Sequence, residues 1–192
     1  MLSKKFIEDL LKNENNSVTS VIAFMSYNPS IGRVLEKGGV KIFQKIILEM
    51  VEKLPTINNI SCFDEFHKEY LMRIISEIKT TSKTSVSFGQ AQKPINVFYK
   101  VYIDWARKPT EQIRNQILPF LHVPLDSILM KTIKEKDTNW HKMEIKPLIK
   151  NKSQEYSLSK IDEEIYYKWQ KYFRDNYSQK PLIFDVAWAL NR

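Results

Sequence analysis

Glycine, cysteine and long apolar runs are the scarce elements of this 192-residue sequence. Its four glycines, Gly32, Gly38, Gly39 and Gly89, are too few for a dinucleotide-binding α/β fold, a phosphate-binding loop or a turn-rich β-barrel. Those folds use glycine wherever the chain turns tightly or approaches a ligand with its backbone. The single cysteine, Cys62, excludes an intramolecular disulfide and any zinc site built from several thiolates. His67, His122 and His141 share no metal-ligand spacing, so neither a metal nor another cofactor is expected. No run approaches the roughly 20 apolar residues that span a bilayer, and no Arg/Lys-led apolar stretch opens the chain. A soluble, cytoplasmic protein without a membrane partner is expected.

What remains is the composition of an ordinary globular chain, 43% hydrophobic and 27% charged, long enough for one all-α domain over residues 1–192. Thirty Lys and Arg against twenty-two Asp and Glu leave a net charge of +8, which favours polyanionic partners, nucleic acid first. The charge is uneven. Between Lys79 and Lys108 stand Lys79, Lys83, Lys93, Lys100, Arg107 and Lys108 against Asp104 alone.

The periodicity is helical nearly throughout. Phe63, Phe66, Tyr70, Leu71, Ile74, Ile75 and Ile78 follow i, i+3, i+4 spacing behind a cap at Ser61 or Asp64. Val40, Phe43, Ile46, Ile47, Met50, Val51 and Leu54 do the same, and Pro55 stops that helix. Ser159 with Asp162 resembles a capping box before Ile161, Ile165, Trp169 and Phe173. Thr84 to Phe88 is the one short strand candidate.

Two segments carry chemistry. In Gly89-Gln90-Ala91-Gln92-Lys93 a glycine precedes a lysine by four residues, where a helix begins. Ile95, Val97, Phe98, Val101, Tyr102 and Trp105 then cover most of that helix, so it should be central and buried. Lys93, Asn96, Lys100 and Asp104 form its one polar stripe. That stripe is either a solvated edge or a lysine turned into a cleft, where an amine can serve as a nucleophile. In Val123-Pro124-Leu125-Asp126, the aspartate is placed to cap a helix through Ile128, Leu129 and Ile133. It is either a cap alone or a fixed carboxylate in dry surroundings that stabilises a nearby cation.

Together the two segments resemble the helix-hairpin-helix DNA glycosylases, whose pattern is a Gly-x-Gly/Ala-x-Lys hairpin followed by Val-Pro-x-Asp. The resemblance covers about residues 80–135. The distance from Lys93 to Asp126 looks more like the archaeal 8-oxoguanine glycosylases, with Thr110 to Phe120 as the extra helix between motifs. Some bacterial glycosylases of related architecture act on hypermodified phage cytosine. Ala91 stands where the hairpin has its second glycine.

This resemblance implies a cleft between two helical lobes and a monomer that flips a modified base out of double-stranded DNA. It makes Lys93 and Asp126 catalytic, and the hairpin Gly89, Gln90, Ala91 and Gln92 the DNA contact. His122, beside Asp126, and Trp169 and Phe173 are the candidates for the base pocket, with Trp140 and Trp188 as further aromatics. Two other readings fit the same composition. Pro124-Leu125-Asp126 followed by Glu144-Ile145-Lys146 imitates a metal-dependent nuclease, although such sites sit on strands. A non-catalytic all-α nucleic-acid-binding protein accounts for the charge alone.

Overall fold

Side-chain caps set where most of the helices begin. Ser3, Asn59, Ser87, Thr110 and Asp162 each accept a hydrogen bond from a backbone amide three residues on, satisfying one of the orphan donors of a first helical turn. The computed structural model describes residues 3–136 and 157–190, the side chains of 187–190 excepted. Within them the fold is all-α: α1 Lys4–Lys12, α2 Glu14–Ile31, α3 Gly39–Lys53, α4 Ile60–Glu77, α5 Phe88–Tyr99, α6 Glu111–Ile117, α7 Ser127–Lys136, α8 Glu163–Asn176 and α9 Ile183–Leu190. None of the described helices is long and apolar enough to cross a membrane. Pro55 and Pro119 fall in single 3₁₀ turns, Leu54–Thr56 and Leu118–Phe120, that end α3 and α6.

The buried residues form one cluster reaching from Ile22 in α2 to Leu182 before α9. Helix α5 runs through it, against α2 on one side and α4 and α8 on the other. Ile95, Phe98 and Tyr99 have no exposed surface, and the Tyr99 hydroxyl donates to the Met50 sulfur at 3.0 Å. Helix α1 differs, since none of its residues is buried and Phe6, Ile7, Leu10 and Leu11 face solvent.

Several local expectations change in the structure. The cap of α4 is Asn59, whose Oδ1 accepts from the Cys62 amide; Asp64 is drawn into a partly buried cluster with His122 and Arg174 instead. Asp162 caps α8 without Ser159, and Ile161 precedes that helix. Thr84 to Phe88 does not form a strand. Residues 79–85 make a tight hairpin held by Thr80 N–H to the Thr84 carbonyl at 3.0 Å, with Lys83 at φ 62° in its turn. A hairpin thus joins α4 to α5, but it lies before Gly89.

Gly89-Gln90-Ala91-Gln92 is already helical, and its amides have partners within the fold. Gln90 N–H donates to Ser87 Oγ at 3.2 Å, Ala91 N–H to the Ser87 carbonyl at 3.0 Å and Gly89 N–H to the Ile161 carbonyl at 3.0 Å. The Gln90 side chain accepts from Ser87 N–H, completing a capping box. Pro94 is accommodated inside α5, so Lys93 keeps helical geometry. Helix α5 then runs into a π-helical segment, Lys100–Trp105, and Trp105 is 60% exposed rather than buried.

Gly89 is glycine because of contact, not backbone angle. A Cβ there would stand 2.3 Å from the Leu158 carbonyl oxygen and 2.6 Å from Ile161 Cβ. Gly89→Ala should therefore push the 158–161 segment off α5 and lower the unfolding free energy by about 1–3 kcal/mol, measured by urea denaturation. Unchanged stability would mean that this segment does not pack on α5 as described.

Candidate active site

Two buried glutamines shape the site. Gln92, on α5, donates from Nε2 to the Leu125 carbonyl at 2.9 Å and accepts the Leu125 amide on Oε1 at 3.1 Å. Gln170, on α8, donates to the Val123 carbonyl at 3.0 Å and accepts the Val123 amide at 2.8 Å. The irregular segment 121–126 cannot form a backbone ladder, so side-chain amides satisfy its buried polar groups on both sides of Pro124. Both glutamines are essentially without exposed surface.

This clamp sets the neighbouring residues. Lys93 follows Gln92 and Asp126 follows Leu125, and Lys93 Nζ lies 2.9 Å from Asp126 Oδ2. Their side chains are 11% and 19% exposed, so the pair lies just below the surface. The other carboxylate oxygen, Oδ1, accepts the amides of Ile128 at 3.0 Å and Leu129 at 2.8 Å. Asp126 is thus the expected cap of α7, and it is also ion-paired. The structure brings the two candidate catalytic residues together across 33 positions of sequence.

A hydrogen-bonded chain runs inward from the clamp. Asn96 Nδ2 donates to Gln92 Oε1 at 3.0 Å and to the Tyr166 hydroxyl at 2.8 Å, while Asn96 Oδ1 lies 2.8 Å from His67 Nε2. Because Oδ1 can only accept, the network assigns the His67 proton to Nε2 and leaves Nδ1, which has no partner, as a bare lone pair. The Tyr166 hydroxyl, already an acceptor, donates to His122 Nδ1 at 2.8 Å, and His122 Nε2 donates to Asp64 Oδ1 at 2.9 Å. Arg174 grips both Asp64 oxygens at 2.9 and 2.7 Å and donates to the Phe120 carbonyl at 2.7 Å.

Electrostatics follow from burial. Burial pushes the His122 pKa down to about 4, against the pull of the Asp64 carboxylate, and pushes that of His67 well below the usual value, so both imidazoles are neutral. Burial also raises Tyr166 well above the usual phenol value, which keeps its proton available for donation. For Asp64, burial opposes ionisation, but the hydrogen bonds from His122 and Arg174 outweigh it and hold the carboxyl below the usual carboxylate range.

The three expected base-pocket residues are enclosed in the core. His122 has both ring nitrogens engaged and no exposed surface. Trp169 stacks on Phe173 at 5.7 Å, and Phe173 meets Phe184 at 4.9 Å. Trp140, His141 and Glu144-Ile145-Lys146 lie outside the described residues, as does the Trp188 side chain. Among the described residues no group of three or more His, Cys, Asp or Glu side chains could hold a metal ion. The polar stripe of α5 is not a solvated edge. Lys100 pairs with Asp185, and Asp104 pairs with Lys180 at 2.8 Å and Arg114 at 3.7 Å. Sequence reading passed over Gln170 and Arg174; Gln170 beside Trp169, among Ile165, Tyr166 and Phe173 on α8, is the polar residue on an apolar face that signals a buried partner.

Two outcomes are expected. Gln92→Leu leaves the Leu125 N–H and carbonyl buried without partners, and should lower the unfolding free energy by about 2–4 kcal/mol in urea titration. His122, neutral when folded, gains a proton more readily when unfolded, so its stabilisation is complete above about pH 6.5 and is lost as pH falls toward about 4. That loss amounts to roughly 3 kcal/mol for His122 alone. His122→Asn should flatten the dependence between those limits; an unchanged slope would show that His122 does not titrate with unfolding. A comparison with known proteins finds no family model that matches the chain, and no curated protein or solved structure matches it either.

Proposed function

We propose that the protein is a DNA glycosylase acting on a modified base in double-stranded DNA, with Lys93 as nucleophile and Asp126 as electrostatic stabiliser. The observation that carries this reading is the 2.9 Å pair itself, held at the N-terminus of α7 and reached from α5. Its residue types and order match the motif resemblance, in which such a pair sits in a cleft between two helical lobes. The substrate class that follows is an oxidised purine or a hypermodified cytosine.

The chemistry balances on these two groups. As the bond from C1′ to the base breaks, the bonding electrons leave with the base and positive charge develops on the sugar. The Asp126 carboxylate stabilises that cation. The Lys93 ammonium gives a proton to the departing base and becomes the amine that bonds to C1′. Transfer of a second nitrogen proton to the ring oxygen, with cleavage of its bond to C1′, leaves a protonated imine. β-Elimination from that imine nicks the strand. Extrusion of the base costs a few kcal/mol before any of this.

One observation favours a second reading, nucleic-acid binding without chemistry. Both Asp126 oxygens are already engaged, by Lys93 and by two α7 amides, as in a purely structural cap.

Mass spectrometry of bases released without added Mg²⁺ from genomic DNAs, including phage DNA with modified cytosine, separates the readings. Asp126→Asn, which keeps a capping oxygen, should cut base release by about 10²–10³-fold while the protein stays folded. Borohydride added during turnover should trap a covalent protein–DNA adduct that Lys93→Gln abolishes. Base release without trapping would make Lys93 a positioning cation and water the nucleophile. Absence of both on every modified DNA would leave the binding reading.

A further inference from the structure

The end of α5 farthest from Lys93 carries a second arrangement. Trp105 lies twelve residues beyond Lys93 along the same helical run, less than about 18 Å away because the π-helical part rises less than the 1.5 Å per residue of an α-helix. It is the most exposed large aromatic among the described residues, at 60%. The π-helical turn explains its position, because widening the helix brings residues five apart side by side. Lys100 Nζ therefore sits 4.9 Å from the Trp105 ring centroid, and Asp185 holds that ammonium in place from α9. A cation fixed by Asp185 lies over the indole, and the residue is largely exposed.

The charge around it points the same way. Of the basic residues between 79 and 108, Lys83 pairs with Glu36, Lys93 with Asp126 and Lys100 with Asp185. Lys79 lies beside Glu36. Arg107 and Lys108 form no ion pair among the described residues; Lys108 Nζ meets only the neutral Asn15 side chain, at 3.2 Å. Asp104, the nearest acid to Arg107 in sequence, is already taken by Lys180 and Arg114, and Glu111, three residues beyond Lys108, makes no ion pair with either cation. Arg107 is exposed and takes φ 54°, the left-handed region that turns the chain immediately after the tryptophan. An exposed indole is therefore followed within three residues by two cations that form no ion pair among the described residues.

We propose that Trp105, Arg107 and Lys108 form a binding site for unpaired nucleotides, in which a nucleobase stacks on the indole and the two cations hold flanking phosphates. Every base has a π-face, so the site takes single-stranded nucleic acid with little regard to sequence. Its distance from Lys93 places it several nucleotides from the Lys93–Asp126 pair, where it would hold a strand end or an unpaired stretch. It goes beyond the glycosylase reading and stands without it.

The test is a titration of the full chain with a labelled oligothymidylate of about twelve nucleotides, followed by anisotropy and by tryptophan fluorescence. The unmodified protein should bind, with quenching that is missing in Trp105→Phe while most of the affinity remains. Trp105→Ala should weaken binding by about 5- to 100-fold. Arg107→Gln with Lys108→Gln should flatten the slope of log affinity against log salt by about 1.4, two phosphate contacts at 0.7 each. No binding by the unmodified protein, or equal binding by Trp105→Ala, overturns the proposal. Base release measured on the same preparations keeps the two ideas apart. Binding with quenching but no release leaves this site and removes the glycosylase; release with unaltered binding by Trp105→Ala does the reverse.

Discussion

The double hydrogen bond between the Gln92 amide and the Leu125 backbone is the contact on which the centre of the molecule depends. Segment 121–126 has no regular structure, yet Leu121, Val123 and Leu125 have no exposed surface. Burying such a segment is possible only if its amides and carbonyls find partners, because each unpaired one costs about 1–3 kcal/mol. Gln92 and Gln170 provide them from two different helices, so the same bonds that make burial tolerable also fix the segment between α5 and α8. The placing of Lys93 and Asp126 follows, since each is the immediate neighbour of a clamped residue.

A buried network of this kind holds only when its members agree on proton positions. Here they do. Asn96 can donate twice and accept once, Tyr166 accepts from it and donates onward, and His122 passes the last proton toward an ionised Asp64 gripped by Arg174. The two neutral histidines are what burial dictates, and the bare His67 Nδ1 is less costly than a buried N–H would be there. The charged end of the chain, Asp64 with Arg174, lies where side-chain exposure rises to 30% and 13%.

Local features were legible in the sequence and distant ones were not. The all-α class, the stop at Pro55 and the cap at Asp126 follow from contacts within three or four residues, whereas Asp162 was legible only as the partner of a cap at Ser159. The meeting of Lys93 with Asp126 was reached through motif resemblance, which carries long-range pairing that periodicity does not. Gln92 shows the limit. A glutamine between an alanine and a lysine, three residues after a glycine, reads as part of a loop facing a ligand, and only the fold shows its amide turned inward to Leu125. Trp105 fails for another reason, because the 100° wheel that buries it assumes an α-helix and the turn there is π-helical. The basic window misleads similarly, because its charges before Arg107 are answered by Glu36, Asp126 and Asp185, which lie outside it in sequence.

The ion pair at the centre is asymmetric in a way that matters to the proposed chemistry. Asp126 is held by two α7 amides through one oxygen, so it keeps its place and its helix-terminal stabilisation when the other oxygen loses its partner. Lys93 has no such second anchor among the described residues; its ammonium ends a flexible four-carbon stem and touches Asp126 alone. An incoming cation could therefore replace the ammonium on Oδ2 without disturbing α7, and the displaced amine would remain within reach of whatever replaced it. A symmetric pair, with both groups clamped, would resist that exchange. A pair with neither clamped would lose the fixed negative charge against which a developing sugar cation is stabilised. The glutamine clamp and the α7 cap together make the carboxylate the fixed member and the lysine the movable one.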